Sequence, residues 1–183
     1  MTKKLSKYNE KRNFNKTLEP SGRLSNNKDS LKFVVQHHLA SREHYDFRLE
    51  WKGTLKSWAV PKGPSYNSSE RRLAIMVEDH PIEYRDFEGT IPKGQYGGGT
   101  VMIWDEGTWE PLSDNFRDFD NNSIKFILKG KRLKGKWSLA WMKENQWLLN
   151  KEKDEFKEFE KINEFKRSIR TNRTMEEIEK DGK

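Results

Sequence analysis

The chain has 183 residues, enough for one compact domain with a real core. Only 32% of its residues are hydrophobic and 36% are charged, with 36 Lys and Arg against 29 Asp and Glu, a net charge of +7. The absence of cysteine excludes disulfides and every thiolate metal site, no apolar run approaches the roughly 20 residues that span a bilayer, and the basic excess favours a polyanionic partner, nucleic acid above all.

Residues 1–30 read as a polar, basic N-terminal arm with no helical or strand period, punctuated by the turn signal Glu19-Pro20-Ser21-Gly22. Basic Met1-Thr2-Lys3-Lys4 is followed by no apolar signal core, so a soluble, cytoplasmic protein without a membrane partner is expected. Residues 31–155 read as a core of short strands, at 31–38, 44–51, 55–60, 72–79, 99–104, 107–110, 123–128, 136–142 and 146–151. Glycine and proline turns separate them. Strands at this spacing predict a mostly β, antiparallel barrel or sandwich. With seven Trp, ten Phe and five Tyr, its core leans on aromatics. Residues 156–183 read as a charged C-terminal helix and tail, because Phe156, Phe159, Ile162, Phe165 and Ile169 share one helical face.

All four histidines lie between His37 and His80. In 44–51, Tyr45, Phe47, Leu49 and Trp51 alternate with His44, Asp46, Arg48 and Glu50. One face of that strand is thus apolar, and the other carries imidazole, carboxylate, guanidinium and carboxylate in a row. A merely solvated face more often carries Lys, Thr, Ser and Glu. In 31–38, Gln36 and His38 share a face and His37 points away, so His38 joins the candidate site. In 72–80, Arg72, Glu78 and His80 share one parity.

Two imidazoles and a carboxylate form a set for a divalent metal, of a type that suits Mn, Fe, Co or Zn better than Ca or Mg. Arg48 and Arg72 can grip a phosphate bidentately, and His80 can donate to a phosphate oxygen or to a leaving oxygen. The run Ile91-Pro92-Lys93-Gly94-Gln95-Tyr96-Gly97-Gly98-Gly99-Thr100 lacks the order of a P-loop and precedes a strand, so a turn or bulge is expected there. Two rivals fit parts of the pattern. His44-x-Asp46 with His80 imitates the triad of a non-haem Fe(II)/2-oxoglutarate-dependent oxygenase, and a non-catalytic nucleic-acid-binding module would explain the charge.

The stretch Phe33-Val-Val-Gln-His-His-Leu-Ala-Ser-Arg-Glu-His-Tyr-Asp-Phe-Arg-Leu-Glu50 resembles the signature of the 3′-phosphoesterase domain of DNA ligase D. So do Leu55-Lys-Ser-Trp-Ala-Val-Pro-Lys-Gly-Pro64, Glu78-Asp-His-Pro-Ile-Glu-Tyr84, Glu88-Gly-Thr-Ile-Pro-Lys-Gly-Gln-Tyr-Gly97 and Trp104-Asp-Glu-Gly-Thr-Trp109. The resemblance covers about residues 8–154. It implies a small antiparallel β-barrel with a polar interior and flanking helices, in a stand-alone form. It implies a Mn²⁺-dependent DNA-repair enzyme, with Co²⁺ or Zn²⁺ as alternatives. Such an enzyme removes 3′-terminal ribonucleosides as a phosphodiesterase and 3′-phosphates as a phosphomonoesterase, leaving a 3′-OH.

Carried over by motif, His38, His44 and Asp46 would bind the metal. Arg48, Arg72, His80, Tyr84 and Lys62 would bind the phosphate or stabilise its transition state, with His80, Arg48 and Tyr84 in the catalytic roles. Gln36, Glu78, Arg12 and Glu19 would support the site. Implied partners are DNA or DNA–RNA primer 3′ ends, with a DNA ligase, a polymerase and Ku acting in trans on a monomer. Two positions depart from the family pattern: Asn13 stands where Asp is usual, and an Arg common near Trp141 is missing.

Overall fold

The computed structural model describes residues 4–24, 30–114, 116–120, 122–156 and 162–182. The strands are β1 Lys32–Leu39, β2 Glu43–Trp51, β3 Thr54–Val60, β4 Arg72–Met76, β5 Gly89–Ile91, β6 Gly99–Pro111, β7 Ile124–Gly130, β8 Lys134–Lys143 and β9 Gln146–Lys151. All neighbouring pairs are antiparallel, in the order β1-β2-β3-β4-β9-β8-β7-β6-β5, and β1 also pairs with β6. That last pairing closes β1–β4 and β6–β9 into an eight-stranded barrel, with β5 as an extra strand on β6. Closure removes the exposed edges that such short strands would otherwise present. Two short helices, α1 Ser6–Glu10 and α2 Met175–Asp181, flank the barrel.

Alternation decides what the barrel encloses. Phe33 and Val35 of β1, Phe47 and Leu49 of β2, Trp58 of β3 and Ala74 of β4 all belong to one buried cluster. It continues through Trp104 and Trp109 of β6, Phe126 of β7, Trp137 of β8 and Trp147 of β9. Every barrel strand contributes one face to it, so the interior is apolar and aromatic. The polar interior expected from the resemblance is therefore corrected: the His44, Asp46, Arg48 face points outward. The physical reason is solvation, since a closed barrel this size has no water inside to accept an array of charges.

A second, smaller cluster covers that outer face. Leu5 and Tyr8 of α1, Leu55, Tyr84, Phe87, Ile91 and Val101 pack there. The arm therefore carries a short helix where no periodicity announced one. Its few apolar residues are placed by contact with the barrel rather than by repeat.

Four other differences appear. The expected strands 99–104 and 107–110 are one strand, β6, because Gly107 continues the ladder opposite Phe33 and Gly130. β5 was not anticipated, and β4 ends at Met76, short of 79. The expected helix over the Phe156–Ile169 face is not what the described part of that stretch forms; Phe159 lies outside the described residues. A 3₁₀ turn spans Ile162–Glu164. Beyond it the Ser168 hydroxyl accepts from the amides of Arg170 and Thr171 at 3.1 Å each, and Asn172 is left-handed at φ 57°. Local side-chain bonds of this kind compete with helix. The helix begins only at α2, where Thr174 and Glu177 form a capping box. No helix of the described residues is long and apolar enough to cross a membrane.

Candidate active site

β1 and β2 pair with Gln36 opposite Asp46 and His38 opposite His44. Directly opposed residues share a face, so four polar side chains gather on the outside of the barrel. At their centre is the Asp46 carboxylate. His38 Nδ1 lies 3.5 Å and His44 Nε2 3.6 Å from its Oδ2, and the Arg48 guanidinium approaches the same oxygen at 3.2 Å. Burial alone would raise the Asp46 pKa, but Arg48 and then the two histidines hold it well below the usual carboxylate range.

His38, His44 and Asp46 offer three ligand atoms within 4.8 Å of one another. Two atoms bound at about 2.1 Å to one ion stand roughly 3.0–3.4 Å apart, a little less than the two His–Asp separations of 3.5 and 3.6 Å, so a small inward shift of the three groups would let them share an ion. The His44 Nδ1–H donates to the Arg42 carbonyl at 2.9 Å, which turns Nε2 toward Asp46, where it can carry a proton or give its lone pair to an ion. His38 Nε2 and Arg48 Nη1 are buried without a hydrogen-bond partner, the mark of a site built for something more than its own side chains. The residues thus fit a divalent metal with an anion beside it.

Arg48 is fixed on three sides. Its Nε donates to Gln36 Oε1 at 2.8 Å, one arm faces Asp46, and its plane lies 4.9 Å from the Tyr84 ring centroid. Gln36 is itself anchored by donation to the carbonyls of Tyr84 and Phe87. The pocket has a volume of about 260 Å³ and is lined by Arg12, Glu19, His38, His44, Asp46, Arg48, Glu78, His80, Tyr84 and Tyr96, among others. Gln36 sits one hydrogen bond behind it.

The chain leaves the ladder after β4 and returns at His80, which bridges to Leu55. The His80 Nδ1–H donates to the Glu78 carbonyl at 2.9 Å, so Nε2 accepts from an Arg12 nitrogen at 3.2 Å. Burial, then Arg48 and Arg12, push its pKa well below the ordinary histidine value. His80 is therefore neutral in the free protein, with Nε2 as an acceptor. Tyr84, in the 3₁₀ turn Ile82–Asp86, donates its hydroxyl to Glu19 at 3.0 Å, and burial raises its pKa well above 10.

The arm closes this side of the pocket. Arg12 pairs with Glu19 at 2.9 Å and Glu78 at 3.2 Å, and its guanidinium lies 3.8 Å from the Tyr8 ring centroid. Tyr8 donates to the Pro20 carbonyl at 2.7 Å and meets His80 edge-on. Tyr8, Lys11 and Tyr96 are pocket neighbours that the sequence reading missed. Tyr8 and Lys11 sit in an arm without periodicity, and Tyr96 sits in a run explained by its glycines. Asn13 is exposed, and its Oδ1 accepts from the Asn15 amide at 3.1 Å.

Lys62 and Arg72 do not line the pocket. Arg72 pairs with Glu70 at 2.5 Å, and Lys62 is exposed nearby in the turn after β3. The reason is register. Ile75 is opposite Ala59, a pocket residue, so Arg72 shares the other face of β4 with the core residue Ala74. His37 also stays out, stacked on Tyr45 and paired with Glu43 at 2.6 Å. The oxygenase triad is not assembled either. Among the described residues the metal-type group takes His38, not His80.

Comparison with known proteins agrees with this geometry. Residues 36–141 match the family model of the DNA ligase D 3′-phosphoesterase domain. The chain is 51% identical over 160 residues to the multifunctional non-homologous end joining protein LigD of Pseudomonas aeruginosa, covering 84% of this chain and 19% of that protein. It is 42% identical over 154 residues to the multifunctional non-homologous end joining DNA repair protein LigD of Mycobacterium tuberculosis, covering 83% and 20%. The chain thus spans about a fifth of the length of the curated relatives it matches.

Proposed function

The chain belongs to the DNA ligase D 3′-phosphoesterase domain family, and from that premise we propose that it is a metal-dependent hydrolase that repairs DNA 3′ ends. Its substrates would be primers ending in a ribonucleoside, cut as phosphodiesters, and primers ending in a 3′-phosphate, cut as phosphomonoesters. The product of both steps together is a 3′-OH, ready for a polymerase or ligase. The observation that carries this reading is the buried, unpartnered Arg48 Nη1 beside the His38, His44 and Asp46 group in one pocket.

A divalent ion on those three residues, Mn²⁺ before Co²⁺ or Zn²⁺, would supply Lewis-acid neutralisation of charge on a phosphoryl oxygen. Arg48 binds the phosphate, oriented by Gln36, and stabilises charge as it grows on the equatorial oxygens. Tyr84, neutral, gives its one hydroxyl proton to Glu19 in the free protein and would donate to a phosphate oxygen only by turning from that carboxylate. His80 is neutral in the free protein, with Nε2 facing Arg12; the charge of an incoming phosphate would raise its low pKa and let that nitrogen carry a proton to a phosphate or leaving oxygen. Arg12 holds that nitrogen in the free protein and yields it when a phosphate draws the guanidinium away. Lys62 and Arg72 would act only on substrate reaching beyond the pocket. A DNA ligase, a polymerase and Ku are the proposed partners, in the cytoplasm.

Purified protein with Mn²⁺ is expected to convert a primer ending in one ribonucleotide to a shorter 3′-phosphate, then to a 3′-OH. Primers left unchanged under Mn²⁺, Co²⁺ and Zn²⁺ alike would sink this reading.

A further inference from the structure

The strap from β5 to β6 does more than turn the chain. Gly94 and Gly97 adopt left-handed φ values of 85° and 74°, and between them Tyr96 is thrown outward at the mouth of the pocket. The other residues that line the pocket are buried or half-buried, and Tyr96 keeps 45% of its surface exposed. The hydroxyl is pinned by Lys11 Nζ at 3.1 Å and by Glu78 at 3.4 Å. Lys11 Nζ and the Arg12 guanidinium also lie 4.7 and 5.2 Å from the ring centroid. The ring is therefore held in place with both cations over it, and a base can stack only on the face that they leave open.

We propose that Tyr96 is a nucleobase platform, on which the base next to the scissile phosphate stacks as the 3′ end enters the pocket. The inference rests on the phosphoesterase reading. A terminal nucleotide whose phosphate reaches Arg48 has to leave its own base stack, and an aromatic face at the mouth restores the lost stacking. Lys11, exposed and paired with Glu78, is placed to meet the backbone charge of the same nucleotide, while Arg12 stays buried between Glu19 and Glu78. Stacking is tolerant of base identity, so the platform selects for a base without selecting which one.

The competing account is a latch, in which Tyr96 merely ties the strap to the arm through its hydroxyl. The two accounts separate under substitution. Removing the ring by Tyr96→Ala is expected to weaken primer binding by about 5- to 150-fold, and restoring it by Tyr96→Phe, without the hydroxyl, recovers binding. Binding of a labelled primer to the full chain is followed by fluorescence anisotropy, alongside turnover in Mn²⁺. Matched primers carry an abasic residue in the terminal or the penultimate position.

Support is a Tyr96→Ala penalty that disappears on one of the two abasic primers, and that primer identifies the stacked base. An equal penalty on all three primers, or equal damage from Tyr96→Phe and Tyr96→Ala, overturns the platform in favour of the latch. The phosphoesterase reading fails separately. Primer that binds but is never cut would remove it, while the base dependence of binding would still decide for or against stacking.

Discussion

Replacing Arg48 with lysine keeps the positive charge and removes the fork. In the protein as it stands, the guanidinium meets Gln36 through Nε, Asp46 through one arm and, with Nη1, nothing. A lysine ammonium is a point donor. It can stay on Asp46 or reach a phosphate, but it cannot do both with the Gln36 bond kept. One oriented donor to the reacting phosphoryl group is lost, and removing a donor of that kind costs about 10²–10³ in kcat, or roughly 2.7–4 kcal/mol. Arg48→Ala is a poorer test, because it strips Asp46 of its buried partner, and breaking such a pair costs about 3–5 kcal/mol of stability. Arg48→Lys is therefore assayed with Mn²⁺ on a primer ending in 3′-phosphate, with metal binding measured in parallel by calorimetry. The expected result is a 10²- to 10³-fold fall in kcat at nearly unchanged metal affinity. Activity within about tenfold of the parent, or a metal affinity that falls as far as kcat, would refute Arg48 as an anion-stabilising group.

Metal affinity should weaken on acidification. Burial pulls the His44 imidazole down, but Asp46 and the Arg42 carbonyl outweigh it and leave its pKa above the ordinary value of 6.5. The protonated ring is thus favoured without metal, and protons compete with the ion as pH falls through that raised value. Calorimetry with Mn²⁺ between about pH 8 and pH 5.5 checks this, and a pH-independent affinity would contradict it. Gly99→Ala should destabilise the fold, because Gly99 has φ 144° and an added Cβ would lie 2.2 Å from the Leu39 carbonyl, next to His38. A cost of about 1–3 kcal/mol lowers Tm by roughly 2–4 °C per kcal/mol at this size; an unshifted melt would show that the β1 end yields freely. Asn13→Asp, which introduces the residue that the family resemblance implies beside Arg12, should raise diester cleavage relative to monoester cleavage. The variant keeps the Asn15 cap, so an unchanged ratio of products would exclude position 13 from the chemistry.

Alternation made the strands and the His44, Asp46, Arg48 face legible, because both need only a two-residue period. It could not say which face the barrel encloses. That depends on closure by the β1–β6 pairing, a long-range contact with no local signature. Parity also failed where the strand did. Arg72 and His80 share parity in the sequence, but β4 stops at Met76 and the irregular residues to His80 reset the count. Counting from the ladder alone puts Ile75 on the pocket face and takes Arg72 away from it. His38, by contrast, was separable from His37 because β1 runs unbroken through both.

The inverted barrel also explains the arm. A charged cluster inside a barrel is shielded by the strands themselves, whereas one outside needs a cover. Asp46 and Arg48 are only 7% and 2% exposed, and strands alone cannot bury groups on their outer face. The cover comes from Tyr8, Arg12 and Glu19 on one side and from the 3₁₀ turn with Tyr84 on the other. These segments hold one another chiefly through side chains: Tyr84 to Glu19, Arg12 to Glu78, Tyr8 to Pro20. Side-chain contacts open at lower free energy than a closed ladder. The low-dielectric surroundings that strengthen Arg48 and keep His80 neutral are thus supplied by the part of the fold that main-chain ladders hold least.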